Sequence, residues 1–372
     1  MGIRSRAAGG NGEDSLPSRR HPIRVVAMDD DATPTAASTS INLAQRGRMV
    51  ELLPIVLLNA LLNIVTLTFY RFWGRTKVRQ YLWQQTHIMD EPLEYTGTGM
   101  ELFKGFVVVF FLILVPLAVL SIAANVLLDP QGLAFTLFSV IFYAVAGFLV
   151  GMAIYRARRY RLSRTVWRGI RAGLNGSSGQ YALRYLGFWV LNVVTLGWSY
   201  PWMRLRLFGR IMGETTFGDR SFGFAAPLAP LYRLFAVFWL GAVFGSIAVG
   251  VLAKSAGTAL APVLVLLVPV LGWAWYRARE INHLAGGVSF EGLSFRMQAT
   301  ARSLLGLTAV NGLIVVLTLG FGLPFAQLLV FRWVCDHLRI EGDLDVASIL
   351  QSSAEVPSVG EGLADAFDLG AV

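Results

Sequence analysis

Residues 195–206 read TLGWSYPWMRLR and close an apolar segment that begins near residue 181. A straight helix is poorly served by this string. Gly costs about 1 kcal/mol relative to Ala, and Pro removes a backbone donor and clashes with the preceding turn. Two strongly basic stretches bracket the segment, with seven Lys or Arg in 156–180 and five in 203–233. Cations in short loops stay on the cytoplasmic side of a bilayer. A segment that crossed would place these two stretches on opposite faces, so the sequence predicts that it enters and leaves by the same face. The arrangement of the rest follows from that choice.

A bilayer is the frame that composition demands. Of the 372 residues, 55% are hydrophobic and 15% charged, where a soluble domain has roughly 45–50% and 25%. The runs 105–128, 133–154, 234–253 and 259–275 hold no Asp, Glu, Lys or Arg. Each falls within the roughly 17–25 residues that span a hydrocarbon core, so four transmembrane helices in two hairpins are expected. The loops at their outer ends, 129–132 and 254–258, hold one cation between them, while 71–104 holds five and 277–302 four. The poor loops belong outside, and the rich loops and both termini inside, at a bacterial inner membrane.

The opening motif recurs. Asn63, Thr66, Leu67, Trp73, Arg75, Lys77, Thr86 and Asp90 reappear 129 residues later as Asn192, Thr195, Leu196, Trp202, Arg204, Arg206, Thr215 and Asp219. Asn59, Thr66 and Leu67 return again as Asn311, Thr318 and Leu319, with Gln327 and Leu329 where Arg75 and Lys77 stood. Tyr155-Arg-Ala-Arg158 returns as Tyr276-Arg-Ala-Arg279. Such self-similarity marks structural units. It divides a membrane domain, 49–345, into copies at 49–155 and 178–276 and a truncated copy at 303–340. A cytoplasmic tail at 1–48 and an acidic tail at 346–372 are polar enough to stay disordered. The expected class is an all-α polytopic membrane protein with three broken motif segments, re-entrant or interfacial, at 49–73, 181–202 and 303–325. The alternative is seven transmembrane helices.

Broken backbone within lipid needs partners from protein or a wet cavity. Asn59, Asn63, Thr66, Asn192, Thr195, Asn311 and Thr318 offer them, as a candidate intramembrane polar cluster. Beyond each break, cations interleave with aromatics. Arg stems snorkel and Trp favours the headgroup layer, so a short interfacial helix is expected there. Candidate contacts to anionic lipid headgroups are Arg71, Arg75, Lys77, Arg79, Arg156, Arg158, Arg159, Arg204, Arg206, Arg277 and Arg279. Arg184 and Arg233 flank the membrane segments as interfacial residues. Residues 49–340 carry 25 cations against 11 acids. No nucleic-acid motif accompanies that surplus, so the partner it suits is the anionic lipid surface.

Asn-x-x-Thr-Leu with a downstream Trp, then R-x-K-V-R-x-Y-L-W at 75–83, PLEYTGTGMELFKGF at 92–106 and RARRYRLSRTVWRGIRAG at 156–173, resemble the YjgN-like family of bacterial inner-membrane proteins. The resemblance covers about residues 45–345. It implies a multipass cytoplasmic-membrane protein and brings no substrate, cofactor or catalytic residue with it.

Enzyme chemistry finds no support in the residues. There is one cysteine, Cys335, and four histidines without metal spacing, and H-E-x-x-H, G-x-S-x-G and phosphate-loop signatures do not occur. No cofactor is expected. Ion-coupled transport requires ionisable groups at membrane depth, and the four apolar runs have none. Two readings remain. The broken segments line a passage for a small solute or lipid, or the protein is a non-transporting scaffold whose Arg-rich cytoplasmic face binds anionic lipid or an acidic partner.

Overall fold

The computed structural model describes residues 40–257 and 260–351. Each motif segment forms a short hairpin: α1 (Met49–Val65) with α2 (Arg71–Gln84), α6 (Ser178–Val194) with α7 (Tyr200–Glu214), and α10 (Ala301–Leu317) with α11 (Leu323–His337). The strand before the first helix pairs antiparallel with the strand after the second in every case. These pairs are β2 (Leu43–Gln45) with β3 (Thr86–Ile88), β7 (Ile170–Leu174) with β8 (Thr215–Phe217), and β12 (Leu293–Met297) with β13 (Leu338–Glu341). Two helices whose free ends are hydrogen-bonded neighbours start and finish at one level, so each segment doubles back. The expected interfacial helix is thereby corrected. Strand pairing draws α2, α7 and α11 back beside their partners instead of letting them run along a surface.

Two long hairpins follow the same plan. A rod made of α3 (Gly99–Val109), a π-turn at Phe110–Leu114 and α4 (Val115–Leu127) leads into α5 (Leu133–Ser163), and α8 (Leu228–Ser255) leads into α9 (Ala261–Gly286). Their bases are tied by β5 (Glu94–Tyr95) to β6 (Thr165–Trp167), and by β10 (Gly223–Phe224) to β11 (Val288–Phe290). All five hairpins thus rise from strands. At about 1.5 Å per residue, the 31 residues of α5 and 28 of α8 reach roughly 42–46 Å. The 17 residues of α1, α6 and α10 reach only about 25 Å.

Among the described residues, three helices are long and apolar enough to cross a membrane: Gly99–Leu127, Leu133–Ser163 and Leu228–Ser255. The fourth expected run, 259–275, falls in α9, which packs along α8. Its second half carries Arg277, Arg279 and Glu280, and residue 259 at the start of the run lies outside the described ones.

The all-α expectation is also corrected, because short strands assemble into three sheets. Their orders are β2-β3-β4, β5-β6-β7-β8-β9 and β10-β11-β12-β13-β1, with β1 at Ser40–Ile41, β4 at Glu91–Pro92 and β9 at Arg220–Ser221. Single residues join sheet to sheet: Leu93 between β4 and β5, Phe222 between β9 and β10, and Asn42 between β1 and β2. The three sheets therefore form a closed cycle. The third copy stops after β13, and the N-terminal strand β1 completes its sheet, pairing Ser40 with Glu341 and Ile41 with Ile340. Residues 40–41 and 43–45 are thus strand, whereas the sequence places them in a disordered tail; residues 1–39 lie outside the described ones.

The closure is consolidated by packing. Ile41, Phe290, Leu293, Ile340 and Ile349 are buried together, with Ile88, Ile170 and Phe217 against them, so all three sheets contribute. Ile349 belongs to the stretch expected to be a solvated acidic tail. Its segment is held instead: Leu350 N–H donates to Asp219 Oδ1 at 3.0 Å, Leu350 O accepts from Asp219 N–H at 3.0 Å, and Gln351 Oε1 accepts from Arg171 N–H at 3.0 Å. The sequence reading missed it because one isoleucine among acids gives no periodic signal. Residues 352–372 lie outside the described ones. Where a third long hairpin would stand, α11 meets the first copy directly, with Leu328 buried among Leu52, Val56, Val78 and Leu82.

Candidate functional site

The Thr-Leu turn is the same in all three short hairpins. Thr66, Thr195 and Thr318 donate Oγ–H to the carbonyls of Leu62, Leu191 and Ile314 at 2.6, 2.7 and 2.6 Å. Each Oγ accepts the backbone N–H four residues on, from Tyr70, Ser199 and Gly322 at 3.0, 3.1 and 2.7 Å. Leu67, Leu196 and Leu319 follow with φ of 48°, 50° and 51°, a left-handed conformation that costs a non-glycine residue roughly 1–2 kcal/mol. Thr68 in the first copy takes φ 71° where the others have Gly197 and Gly320, so the departure from Gly does not alter the turn. The three leucines are 81%, 79% and 88% exposed. An exposed turn in water favours Gly or Asn at such a φ; leucine there suits a tip immersed in hydrocarbon.

Of the hydroxyls and amides expected to satisfy the break, the hydroxyls do so in all three turns. The seven-residue polar cluster does not assemble as one body. The three threonines cap their own turns. Asn192 stays within its hairpin, accepting from Ser199 Oγ at 2.7 Å and reaching Met203 Sδ at 3.1 Å. Asn59 and Asn63 line one cavity at the junction of the first and third hairpins, and Asn311 lines a second. Asn59 donates to the Gly74 carbonyl at 3.3 Å, and the side-chain oxygens of all three are buried without a hydrogen-bond partner. Each such group costs on the order of 1–3 kcal/mol.

Two cavities adjoin at this junction. One, of about 150 Å³, is lined by Asn59, Asn63, Arg71, Arg75 and Arg79 of the first hairpin and by Phe321, Pro324 and Gln327 of the third. The other, of about 530 Å³, lies between α2, α10 and α11, and Arg161 of α5 reaches it. They share Arg79, Leu323 and Gln327. Apolar side chains such as Leu307, Val315, Val316, Val330 and Phe331 dominate the walls of the larger one, with Thr308 and Asn311 among them. Arg79 is 6% exposed and donates to Tyr95 Oη at 3.3 Å. An apolar volume bordered by a few convergent polar groups is the usual form of a small-ligand site.

The eleven cations expected at lipid headgroups divide. Lys77, Arg156, Arg206 and Arg279 are exposed. Arg204 and Arg277 instead turn onto Glu280, at 2.7 and 2.5 Å. Arg159 donates to the carbonyls of Leu174, at 2.9 Å, and Gly176, and Arg71 lies over the Phe106 ring at 4.8 Å. Arg79 and Arg158 have buried polar atoms, and Arg75 lines the smaller cavity.

Sequence reasoning missed Glu280, which is fully buried. The available signal is a lone acid directly after R-A-R, at a position where the first copy has Arg159. Glu101 plays a comparable part between Tyr160 at 2.7 Å and Arg164 at 2.8 Å, as does Glu214 with Tyr155 at 2.6 Å. These acids tie helix bases together. Among the described residues, no group of three or more His, Cys, Asp or Glu is placed to hold a metal ion.

Comparison with known proteins agrees with the extent of this fold. Residues 41–366 match the model of a family described as bacterial protein of unknown function (DUF898), a span that runs from the second residue of β1 past the docked C-terminal segment. The inner membrane protein YjgN of Salmonella typhimurium is 23% identical over 352 residues, covering 78% of this chain and 86% of that protein. No solved structure matches the chain.

Proposed function

This chain belongs to the DUF898 family of bacterial proteins, which are YjgN-like, and on that premise we propose that it is a multipass inner-membrane protein that holds an anionic amphiphile between its first and third short hairpins. The strand layer and both termini face the cytoplasm, where the cation-rich segments belong. The long hairpins cross the bilayer. The short ones, about 25 Å long with their bases at the headgroups, end inside a hydrocarbon core of about 30 Å.

One observation carries the reading: the 530 Å³ cavity combines apolar walls with the guanidinium groups of Arg79 and Arg161. An acyl chain would lie along Val315 and Val316, and its acidic group would meet the arginines through charge-assisted hydrogen bonds. Entry is sideways, from the cytoplasmic leaflet. Hairpins that turn back within the core favour holding a lipid over conducting a solute across both faces. The scaffold reading draws on exposed Lys77, Arg156 and Arg279 and predicts lipid binding spread over the surface.

A test separates these two. Gly312 lines the larger cavity, and a side chain added there has open space before it. Native mass spectrometry of protein released from nanodiscs containing phosphatidylglycerol should show a retained lipid in the wild type and its loss in Gly312→Trp. Equal retention by both would refute the cleft.

A further inference from the structure

We propose a second ligand site, for the phosphate of an anionic phospholipid, in the groove between α7 and the link from β10 to α8. The groove, about 880 Å³ in volume, runs the length of α7. Trp202, Arg206, Gly209, Arg210 and Gly213 of that helix line it, and their three- and four-residue spacing puts them on one face. Arg184 and Phe188, one turn apart on α6, add to it, and Phe224 stands opposite.

Its chemistry is graded along the helix. Nearest the hairpin tip, Phe188 and Trp202 meet edge to face with ring centres 5.1 Å apart. Toward the strands come three guanidinium groups against one carboxylate, Glu214. Arg210 is fixed in place: its Nε lies 2.9 Å from Glu214 Oε1, its NH2 donates to Gln180 Oε1 at 3.0 Å, and its side chain is 11% exposed. Arg184 and Arg206 make no ion pair or hydrogen bond among the described residues. Cations gathered with so little neutralisation repel one another, and a bound anion relieves that repulsion.

The cavity also depends on missing side chains. A Cβ on Gly213 would meet nothing within 4 Å, so the groove is open where α7 nears the sheet. By the 129-residue repeat, Gln80 and Tyr81 of α2 stand where Gly209 and Arg210 stand. They are spent on the Gly97 carbonyl and on Glu51. The site therefore does not recur in the first copy and shares no lining residue with the cleft. A phosphate on the arginines with chains leading past Trp202 toward the tip fits a phospholipid better than a soluble phosphate compound.

The experiment uses full-length protein carrying Gly312→Trp, so that the cleft does not contribute, and titrates it with short-chain phosphatidylglycerol in detergent by calorimetry. Saturable binding is expected, weakened at least tenfold by Arg184→Gln with Arg206→Gln, and equally by Gly213→Leu, which fills the groove without touching a charge. Arg339→Gln, an exposed cation on β13, should leave it unchanged. Monodisperse elution shows that each variant is folded. Wild-type affinity in both groove variants overturns the site. Inorganic phosphate binding as tightly as the lipid overturns the assignment to lipid. Binding seen only after deletion of 352–372 does so too, because the chain's own acidic segment is then the occupant.

Discussion

Replacing the turn threonines by valine should unfasten the short hairpins one at a time. Valine has the shape and branching of threonine, so packing at the turn is kept and only the hydroxyl is lost. In Thr195→Val, the carbonyl of Leu191 loses its 2.7 Å donor and the amide of Ser199 its 3.1 Å acceptor. A typical hydrogen bond contributes about 0.5–1.5 kcal/mol net, and a buried donor left unmatched costs about 1–3 kcal/mol. Side-chain hydrogen bonds measured within membranes average only about 0.6 kcal/mol, which sets the lower end. A loss of about 2 kcal/mol per site is expected. The three turns share no partner, so their effects should add to about 6 kcal/mol, comparable with a whole stability of about 5–15 kcal/mol. Thr195→Ser keeps both contacts and serves as the control. Unfolding in mixed micelles by increasing sodium dodecyl sulfate, followed by circular dichroism, reads the differences. Single valine variants within about 0.5 kcal/mol of wild type, and a triple variant that still accumulates, would show that the hydroxyls do not hold the turn.

In a Cys335→Ser background, a cysteine at Gln131 should react with an impermeant thiol reagent on intact cells, while cysteines at Ser177 and Ser221 should not; labelling at Ser221 would put the strand layer outside. Burial pushes the Cys335 thiol up to about 11 from its usual 9, so alkylation of native protein should be negligible at neutral pH and rise only as pH approaches that value. Glu280→Gln leaves Arg204 and Arg277 unpaired, and breaking a buried pair costs about 3–5 kcal/mol. Because those arginine side chains are 35% and 25% exposed, solvent screening reduces the expected loss to about 2 kcal/mol, readable in the same micelle assay. Ile349→Asp should cost at least as much as the roughly 2–5 kcal/mol of a large-to-small core change, and deletion of 346–372 should do the same.

What the sequence discloses and what it hides follow from range. Arginines on both sides of 181–202 imply a segment that turns back, and the Thr-Leu pairs mark the turns, because both signals are local. Strands of two to five residues carry too few alternations to be seen. Pairing of Ile41 with Ile340 joins positions too distant for any window. Asn63 and Asn192 hold the same place in the repeat, yet only Asn63 lines a cavity shared with another copy, while Asn192 stays within its own hairpin. Arg204 looks like Arg206 in the sequence, and their fates part only because Glu280 lies within reach of one. The larger cavity was invisible for the same reason, since its lining comes from α2, α5, α10 and α11.

Pairing of β1 with β13 also has a bearing on biosynthesis. Ser40 finds Glu341 only after some 300 further residues have been translated, which at about 5–20 residues per second takes roughly 15–60 s. Throughout that interval the nascent chain has an unmatched leading strand. A product released early keeps that bare edge, an invitation to misassembly and proteolysis. The ribosome must pass β13 before the circle can shut, so this architecture ties its first strand to its last.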